Sequence, residues 1–309
     1  MQYIVKSQNE EIRYKASSGG AGSTIIKYLF DKKEINTAIS FTYDTTQYCY
    51  QPIFIHSFEE YKQVGSIYHD INIVKFLSEN ITKIKGGLGV FCLPCQVNAI
   101  RSISQRNNIK VYIICLTCSG QLDISATHYL YKLLHISKND IKYMQYRGNG
   151  WPSGITIDKK DGSSVFLKNW SYPWTIIHSS QLFKPKRCFF CTLELPKQAD
   201  FILADPWLKE LKEDTVGHTL IIPRTHIGQE IFDELVKSNK LIIFASATNF
   251  WQKSQKPIID KRNRIKSNPK IIKTIRNICT NKLYKKMILK NMLFVKIHTK
   301  CILYILSKL

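Results

Sequence analysis

Long apolar stretches are missing from this chain of 309 residues. No uninterrupted apolar run approaches the roughly 18 residues that a transmembrane helix requires, so a membrane span is not expected. The opening segment, MQYIVKSQNEEIRYK, has neither an apolar core segment nor a small-residue cleavage site. No signal peptide is read there, and the expectation is a cytoplasmic protein. Acidic residues are nearly missing from one region: Gln252 to Leu309 holds 16 Lys and Arg against the single acid Asp260. That is a net of +15, which leaves +7 of the formal +22 for the first 251 residues. The basicity is therefore mainly a property of the C-terminal tail. No internal repeat is visible either, which argues against a repeat architecture.

What is present fits a globular chain. At 35.9 kDa with 44% hydrophobic residues, it can bury a substantial core as one large domain or one domain plus appendages. INTAISFTYD, GGLGVFCL and IKVYIICL read as strands, while AGSTIIKYLFDKK and QVNAIRSISQRN carry helical spacing. Strand, turn and helix repeated in this order predict an α/β fold with a mixed, largely parallel sheet. After Lys142 the texture changes to an α+β elaboration. It has a Gly/Pro-rich loop, two short strands joined at Lys160, Asp161 and Gly162, then the strands ADFILADPWL and LIIPRT, and a helix-like QEIFDELVKSN.

Nine cysteines are many for a reducing compartment, where metal binding or redox chemistry is a better reading than structural disulfides. Six of them form three C-x-x-C pairs: Cys92 with Cys95, Cys115 with Cys118, and Cys188 with Cys191. Cys49, Cys279 and Cys301 stand alone and read as small buried apolar residues. Thiolates are soft ligands, and four converging from separate segments can hold zinc or an iron–sulfur cluster. The pairs spread over roughly 100 residues, far wider than the knuckles of a zinc ribbon, which suggests a cofactor assembled by the fold. Spacing alone does not name the four ligands among the six. In an open α/β sheet the first two pairs fall at or just past strand C-terminal ends, the edge where ligands usually bind.

Two further segments carry chemistry. SSGGAGST, Ser17 to Thr24, lets backbone amides and hydroxyls approach a phosphate at a helix start; the plainer reading is a capped helix entry loop. YRGNGWPSG, Tyr146 to Gly154, and DPW, Asp205 to Trp207, offer an arginine fork and tryptophans, which suit a flavin-like ligand or simply a rigid corner.

In the order SSGG, GSIY (Gly65 to Tyr68), LPCQ (Leu93 to Gln96), IICLTCSG (Ile113 to Gly120), YRGNGWPSG, CFFC and ADPW, the chain resembles the coenzyme F420 hydrogenase/dehydrogenase beta subunit family over about Tyr3 to Leu235. The resemblance implies FAD and one 4Fe-4S cluster as cofactors. By position it implies Cys95, Cys115, Cys188 and Cys191 as cluster ligands, with Cys92 and Cys118 as spares. It implies Ser17, Ser18, Gly19 and Gly20 as the flavin phosphate loop, with Ser66 and Tyr68 in the pocket. Arg147, Gly148 and Trp151 would close over the flavin region, and Asp205 and Trp207 would form the family's acidic turn. Ile67 stands where the family often has lysine, and Ala204 stands where it usually has glycine. No ferredoxin-like cysteine run precedes SSGG.

The resulting expectation is residues 1–250 as a flavin and iron–sulfur domain and residues 251–309 as a basic amphipathic tail. The activity implied is that of an iron–sulfur flavoprotein oxidoreductase. Electrons would pass between the cluster and FAD, and on to a deazaflavin or another small organic acceptor, with a ferredoxin or partner subunit as electron partner. The alternative is a zinc-stabilised or non-catalytic accessory protein of cell-surface polysaccharide biosynthesis. If Lys282 to Lys308 is one helix, its seven lysines share an arc of roughly 140°, which suits either an anionic membrane surface or packing on its own domain with lysines in water. Nucleic acid is not expected as a partner, since no base-reading fold accompanies the charge. His69, His128, His178 and His218 are present, and none has a context that marks it as a catalytic acid or base.

Overall fold

Alternation along the strands sorts the chain into layers in the computed structural model, which describes residues 1–309. Eleven strands occur: β1 (Gln2–Ser7), β2 (Thr37–Asp44), β3 (Cys49–Ile55), β4 (Leu88–Cys92), β5 (Val111–Leu116), β6 (Ile141–Gln145), β7 (Gly154–Lys159), β8 (Ser164–Lys168), β9 (Phe201–Ala204), β10 (Thr219–Pro223) and β11 (Leu241–Ala247). Eight of them form one sheet in the order β11-β1-β10-β9-β5-β4-β2-β3. Its centre, β2, β4, β5 and β9, is parallel, and both flanks are antiparallel. The expected mixed α/β sheet is therefore present, with its parallel part in the middle. Strands β6, β7 and β8 form a separate antiparallel meander, turning between β7 and β8 at the expected Lys160–Gly162 corner.

The helices are α1 (Glu10–Lys15), α2 (Ala21–Asp31), α3 (Ile73–Glu79), α4 (Val97–Arg106), α5 (Ser125–Leu133), α6 (Trp174–Ser179), α7 (His226–Lys237), α8 (Phe250–Ser254), α9 (Lys256–Ser267), α10 (Pro269–Thr280), α11 (Lys282–Ile288) and α12 (Met292–Ser307). Neighbouring residues on a strand point to opposite faces, so each central strand feeds two cores. Val5, Ile114, Leu203 and Ile221 pack with Ile25 and Leu29 of α2 and Phe232 and Leu235 of α7. Ile4, Ile113, Ile202 and Leu220 pack on the other face with Leu77 of α3, Val97 and Ile100 of α4, and Trp251. Each fully buried Ile or Leu contributes roughly 1.5–3 kcal/mol, so truncating one such as Leu29 to alanine would cost about 2–5 kcal/mol.

The C-terminal region departs from the single amphipathic helix expected for Lys282 to Lys308. The chain breaks after Leu289, because Asn291 leaves the helix and its Oδ1 accepts from the Leu293 amide at 2.8 Å, starting α12 afresh. Asn281 does the same for α11 through the Tyr284 amide at 2.9 Å. The two helices also bury one side: Ile288 and Val295 join the core under the small meander, and Ile302 packs with Ile272, Ile275 and Phe189. Cys301, expected to be buried, faces outward on α12, whereas Cys49 and Cys279 are buried as expected.

Candidate functional site: a large cavity beside a four-thiol pocket

The C-terminal ends of the central parallel strands open onto a cavity of about 660 Å³. That volume lies within the range of small-molecule and cofactor sites. Phe41 of β2, Cys92 of β4, Thr117 just past β5 and Ala204 at the end of β9 form its floor. One wall is the entry to α2. Gly20 precedes that helix with φ +81° and no side-chain cap, so the first-turn amides of α2 are not covered by a capping group. Opposite runs the loop Val64–His69. A Cβ on Gly65 would lie 1.7 Å from the Arg147 carbonyl oxygen, so only glycine lets this loop pass so close.

Of the eleven residues expected to bind cofactor, eight line this cavity: Ser17, Ser18, Gly20, Ser66, Tyr68, Arg147, Asp205 and Trp207. The other three stand behind it. The Gly19 amide donates to Thr219 Oγ1 at 2.9 Å, and the Gly148 amide donates to Ser153 Oγ at 2.8 Å. Trp151 backs the site by packing its ring on Trp207 at 5.7 Å and by lying under the Arg147 guanidinium at 5.3 Å.

Arg147 ties the site together from a position only 4% exposed. Its Nη1 donates to Asp205 Oδ2 at 2.6 Å and its Nη2 donates to the Ser17 carbonyl, while its Nε has no partner. Burial works against the charge, but Asp205 and then Tyr68 raise the pKa above the ordinary arginine value, so the cation is held in place. Tyr68 lies among Tyr146, Trp170, Trp174 and His178, and burial raises its phenol pKa. Burial, with added repulsion from Lys184 and Lys261, pushes His178 down to about 4, which makes it a neutral imidazole near neutral pH.

The thiols separate into two groups. Cys92 and Cys115 are direct partners on adjacent parallel strands, both buried, and burial together with the Cys115 contact raises the Cys92 thiol well above its usual value. Cys95, Cys118, Cys188 and Cys191 instead line one smaller cavity. The structure thus brings three of the four expected ligands together and sets Cys115 apart from them. The reason is alternation: Cys115 is an inward residue of β5, whereas Cys118 lies beyond the strand's end on the loop that turns toward CFFC. Burial pushes the Cys118 thiol up to about 11, against the Gly120 amide, which donates to its sulfur at 3.3 Å. Burial also raises Cys95, with Cys191 adding to the effect. No three His, Cys, Asp or Glu side chains stand grouped as a ready-made site for a single metal ion.

The two cavities share a wall. Leu93, Cys118, Ser119, Gly120, Gln121 and Ile258 line both. The contribution of Gln255, Pro257 and Ile258 to the large cavity, and of Lys261 and Arg262 to the small one, was not read from the sequence. Their signal was hidden by the lysine-rich texture of the tail, which suggested surface. Cys118 had a clearer one, since it is the only cysteine of its pair outside the strand alternation.

A mixed-sheet α/β protein with a cofactor-sized cavity and an adjoining four-thiol pocket is the class that this fold and site define. Similarity to known proteins narrows it. Residues 2–78 match the N-terminal model, and residues 86–247 the C-terminal model, of the coenzyme F420 hydrogenase/dehydrogenase beta subunit. The chain belongs to this coenzyme F420 hydrogenase/dehydrogenase beta subunit family. It is 25% identical over 208 residues to the F420-dependent formate dehydrogenase subunit beta of Methanocaldococcus jannaschii, covering 65% of this chain and 52% of that one. It is 23% identical over 290 residues to the F420-dependent formate dehydrogenase 1 subunit beta of Methanococcus maripaludis, covering 85% and 71%. The chain thus spans about half of the first relative's length and less than three quarters of the second's. Its fold is similar to a chain of the F420-reducing NiFe hydrogenase complex from Methanosarcina barkeri, with a TM-score of 0.64, 18% identity, and 88% and 92% of the two chains covered.

Proposed function

We propose that the protein is an electron-transfer oxidoreductase that holds FAD in the large cavity and a 4Fe-4S cluster on Cys95, Cys118, Cys188 and Cys191. The observation that carries this reading is the shared wall Cys118–Gln121, which makes a cluster ligand part of the lining of the flavin site. Electrons crossing between the two sites would traverse a single loop.

The residues present fit both groups. For FAD, the uncapped start of α2 supplies first-turn amides for an anionic phosphate, and the unpartnered Arg147 Nε offers a further donor. Trp207, Trp170 and Tyr68 supply apolar rings along the same cavity. For the cluster, four thiols from three chain segments face one space, and a cluster keeps its thiolates further apart than a single ion does. When bound, FAD would supply hydride and single-electron chemistry and the cluster single-electron chemistry. The chain's own residues would orient and insulate: Arg147 and Asp205 would fix the phosphate loop to the acidic turn, and neutral His178 and protonated Tyr68 would line the cavity without adding charge of their own.

The small acceptor, a deazaflavin or another organic molecule, and the electron partner, a ferredoxin or a companion subunit, complete this proposal. Residues 1–250 would form most of the cofactor unit, with Gln255, Pro257, Ile258, Lys261 and Arg262 completing its walls and the later helices forming an appended region. No helix is long and apolar enough to cross a membrane. The outward side of α11 and α12 nevertheless carries exposed Leu283, Leu293, Ile297 and Tyr304 among lysines and no acid, which favours peripheral contact with an anionic surface.

The test is anaerobic purification followed by iron, sulfide, zinc and flavin analysis. A brown protein with a flavin band and close to four irons per chain is expected from the cluster stoichiometry. A colourless, zinc-containing protein without flavin would refute the proposal.

A further inference from the structure

Helix α9 lies outside both segments matched by the family, yet it supplies Ile258, Lys261 and Arg262 to the wall of the four-thiol cavity. Arg187, Lys261 and Arg262 line that cavity and Lys184 lies against its Gly120; all but Arg262 have acceptors of their own. Arg187 donates to Asp70, Lys184 donates to Gln181, and Lys261 donates to the Ser119 carbonyl on the shared wall. Arg262 differs. It is 5% exposed, its Nη1 has no hydrogen-bond partner, and its guanidinium lies over the Trp251 ring at 5.6 Å from the centroid.

A buried donor on a charged group is costly to leave unmatched, and native proteins rarely do so without a ligand or a function behind it. Trp251 fixes the plane of the guanidinium from one side, leaving the cavity as the place where an acceptor would complete it. The only anion-forming groups on the walls of that cavity are the four thiols.

We propose that α9 is a built-in cationic wall of the four-thiol site. Arg262, set by Trp251 and supported by Lys261, is the counter-ion to the anionic metal–thiolate group that the cavity takes. The inference rests on the reading of Cys95, Cys118, Cys188 and Cys191 given above. Such a group is already negative, and the single electron it accepts, from reduced flavin or from a partner protein, adds one more negative charge and no proton. A fixed cation in the wall stabilises the reduced form more than the oxidised form, so it raises the reduction potential. Arginine remains charged across the physiological pH range, so this bias does not follow pH. Arg262 itself gains and loses neither proton nor electron; it is a positioning residue.

The experiment is a redox titration of the anaerobically purified full chain, followed by electron paramagnetic resonance, for wild type, Arg262→Gln, Arg262→Lys and Lys261→Gln. Arg262→Gln should retain its iron and titrate at a more negative midpoint, Arg262→Lys should stay near wild type, and Lys261→Gln should move in the same direction as Arg262→Gln by less. Equal midpoints for wild type and Arg262→Gln would overturn the cationic wall while leaving the ligand assignment intact. If Arg262→Gln fails to fold with its cluster, Lys261→Gln decides: an unchanged midpoint overturns the inference and a negative shift supports it. A wild-type protein without iron would overturn both this inference and the reading beneath it.

Discussion

Single residues carry the sharpest expectations. Cys115 and Cys118 are three positions apart and have opposite surroundings, because one lies inside a strand and the other past its end. Cys95→Ser, Cys118→Ser or Cys188→Ser should each lower bound iron severely, since each removes one of four proposed ligands. Cys115→Ser should keep its iron and lose about 1–3 kcal/mol of stability, the cost of burying a hydroxyl among Ile and Leu side chains without a partner. Iron analysis beside urea unfolding separates the two outcomes, and an iron-free Cys115→Ser would sink the assignment. His69 gives a second test. Its Nε2 accepts the Tyr50 amide at 2.9 Å and its Nδ1 lies 3.3 Å from the Asp70 carbonyl, an arrangement that only a neutral ring satisfies. Burial accordingly pushes its pKa down to about 4. A histidine whose folded pKa lies below its unfolded value of about 6.5 makes the unfolded state bind more protons between those two pH values, so stability falls as pH drops from 6.5 toward 4. His69 should account for roughly 3 kcal/mol of that loss. His69→Gln should therefore show a flatter decline in urea midpoint between pH 7 and pH 4.5, and an equally steep decline would remove His69 as the cause.

At the scale of elements, the strands and the helical character of the tail were legible, and the breaks between the C-terminal helices were not. GGLGVFCL and IKVYIICL declare themselves as strands because β-branched residues follow glycine or lysine and alternate between two packed faces, as the split of Ile113 and Ile114 between opposite cores shows. The tail misleads because lysine at helical spacing looks the same whether the opposite side meets solvent or core. Two asparagines, Asn281 and Asn291, carry the missing information, since each caps a new helix and turns the chain back onto the body. The outward stripe of α12, Leu293, Ile297 and Tyr304, remains apolar although Val295, His298 and Ile302 already serve the inner side. A triple substitution of this stripe to serine should leave folding intact, because Tyr304 is 65% exposed and buries little area. The same substitution should abolish sedimentation of the protein with vesicles containing anionic phosphatidylglycerol, and raised salt should weaken the wild-type association. Vesicle binding that is identical in both proteins would refute the membrane proposal.

For the whole molecule, the site is an assembly of distant parts, which limits what any local motif reveals. SSGG, GSIY, YRGNG and DPW each look like an ordinary turn, and they become one cavity only because the parallel strands deliver them to the same sheet edge. The segment Gln255–Ile258 closes that cavity from the far end of the chain, so residues separated by more than 200 positions share one wall. Such a site should couple ligand binding to global stability: a ligand that touches the entry to α2, three strand ends and α9 is lost altogether when any of these parts opens. By mass action, FAD at a hundredfold excess over its dissociation constant adds about 2.7 kcal/mol to the folded state. With an unfolding entropy of about 2.1 cal/mol/K for each of the 309 residues, this corresponds to a rise of about 4 °C in melting temperature. Arg147→Lys should blunt the response, because lysine cannot bridge Asp205 and the Ser17 carbonyl at once while offering a third donor to the ligand. Differential scanning calorimetry of the cluster-loaded protein with and without FAD reads this directly. A wild-type melting temperature that does not move at saturating FAD would exclude FAD from the cavity, whatever the cysteines are found to hold.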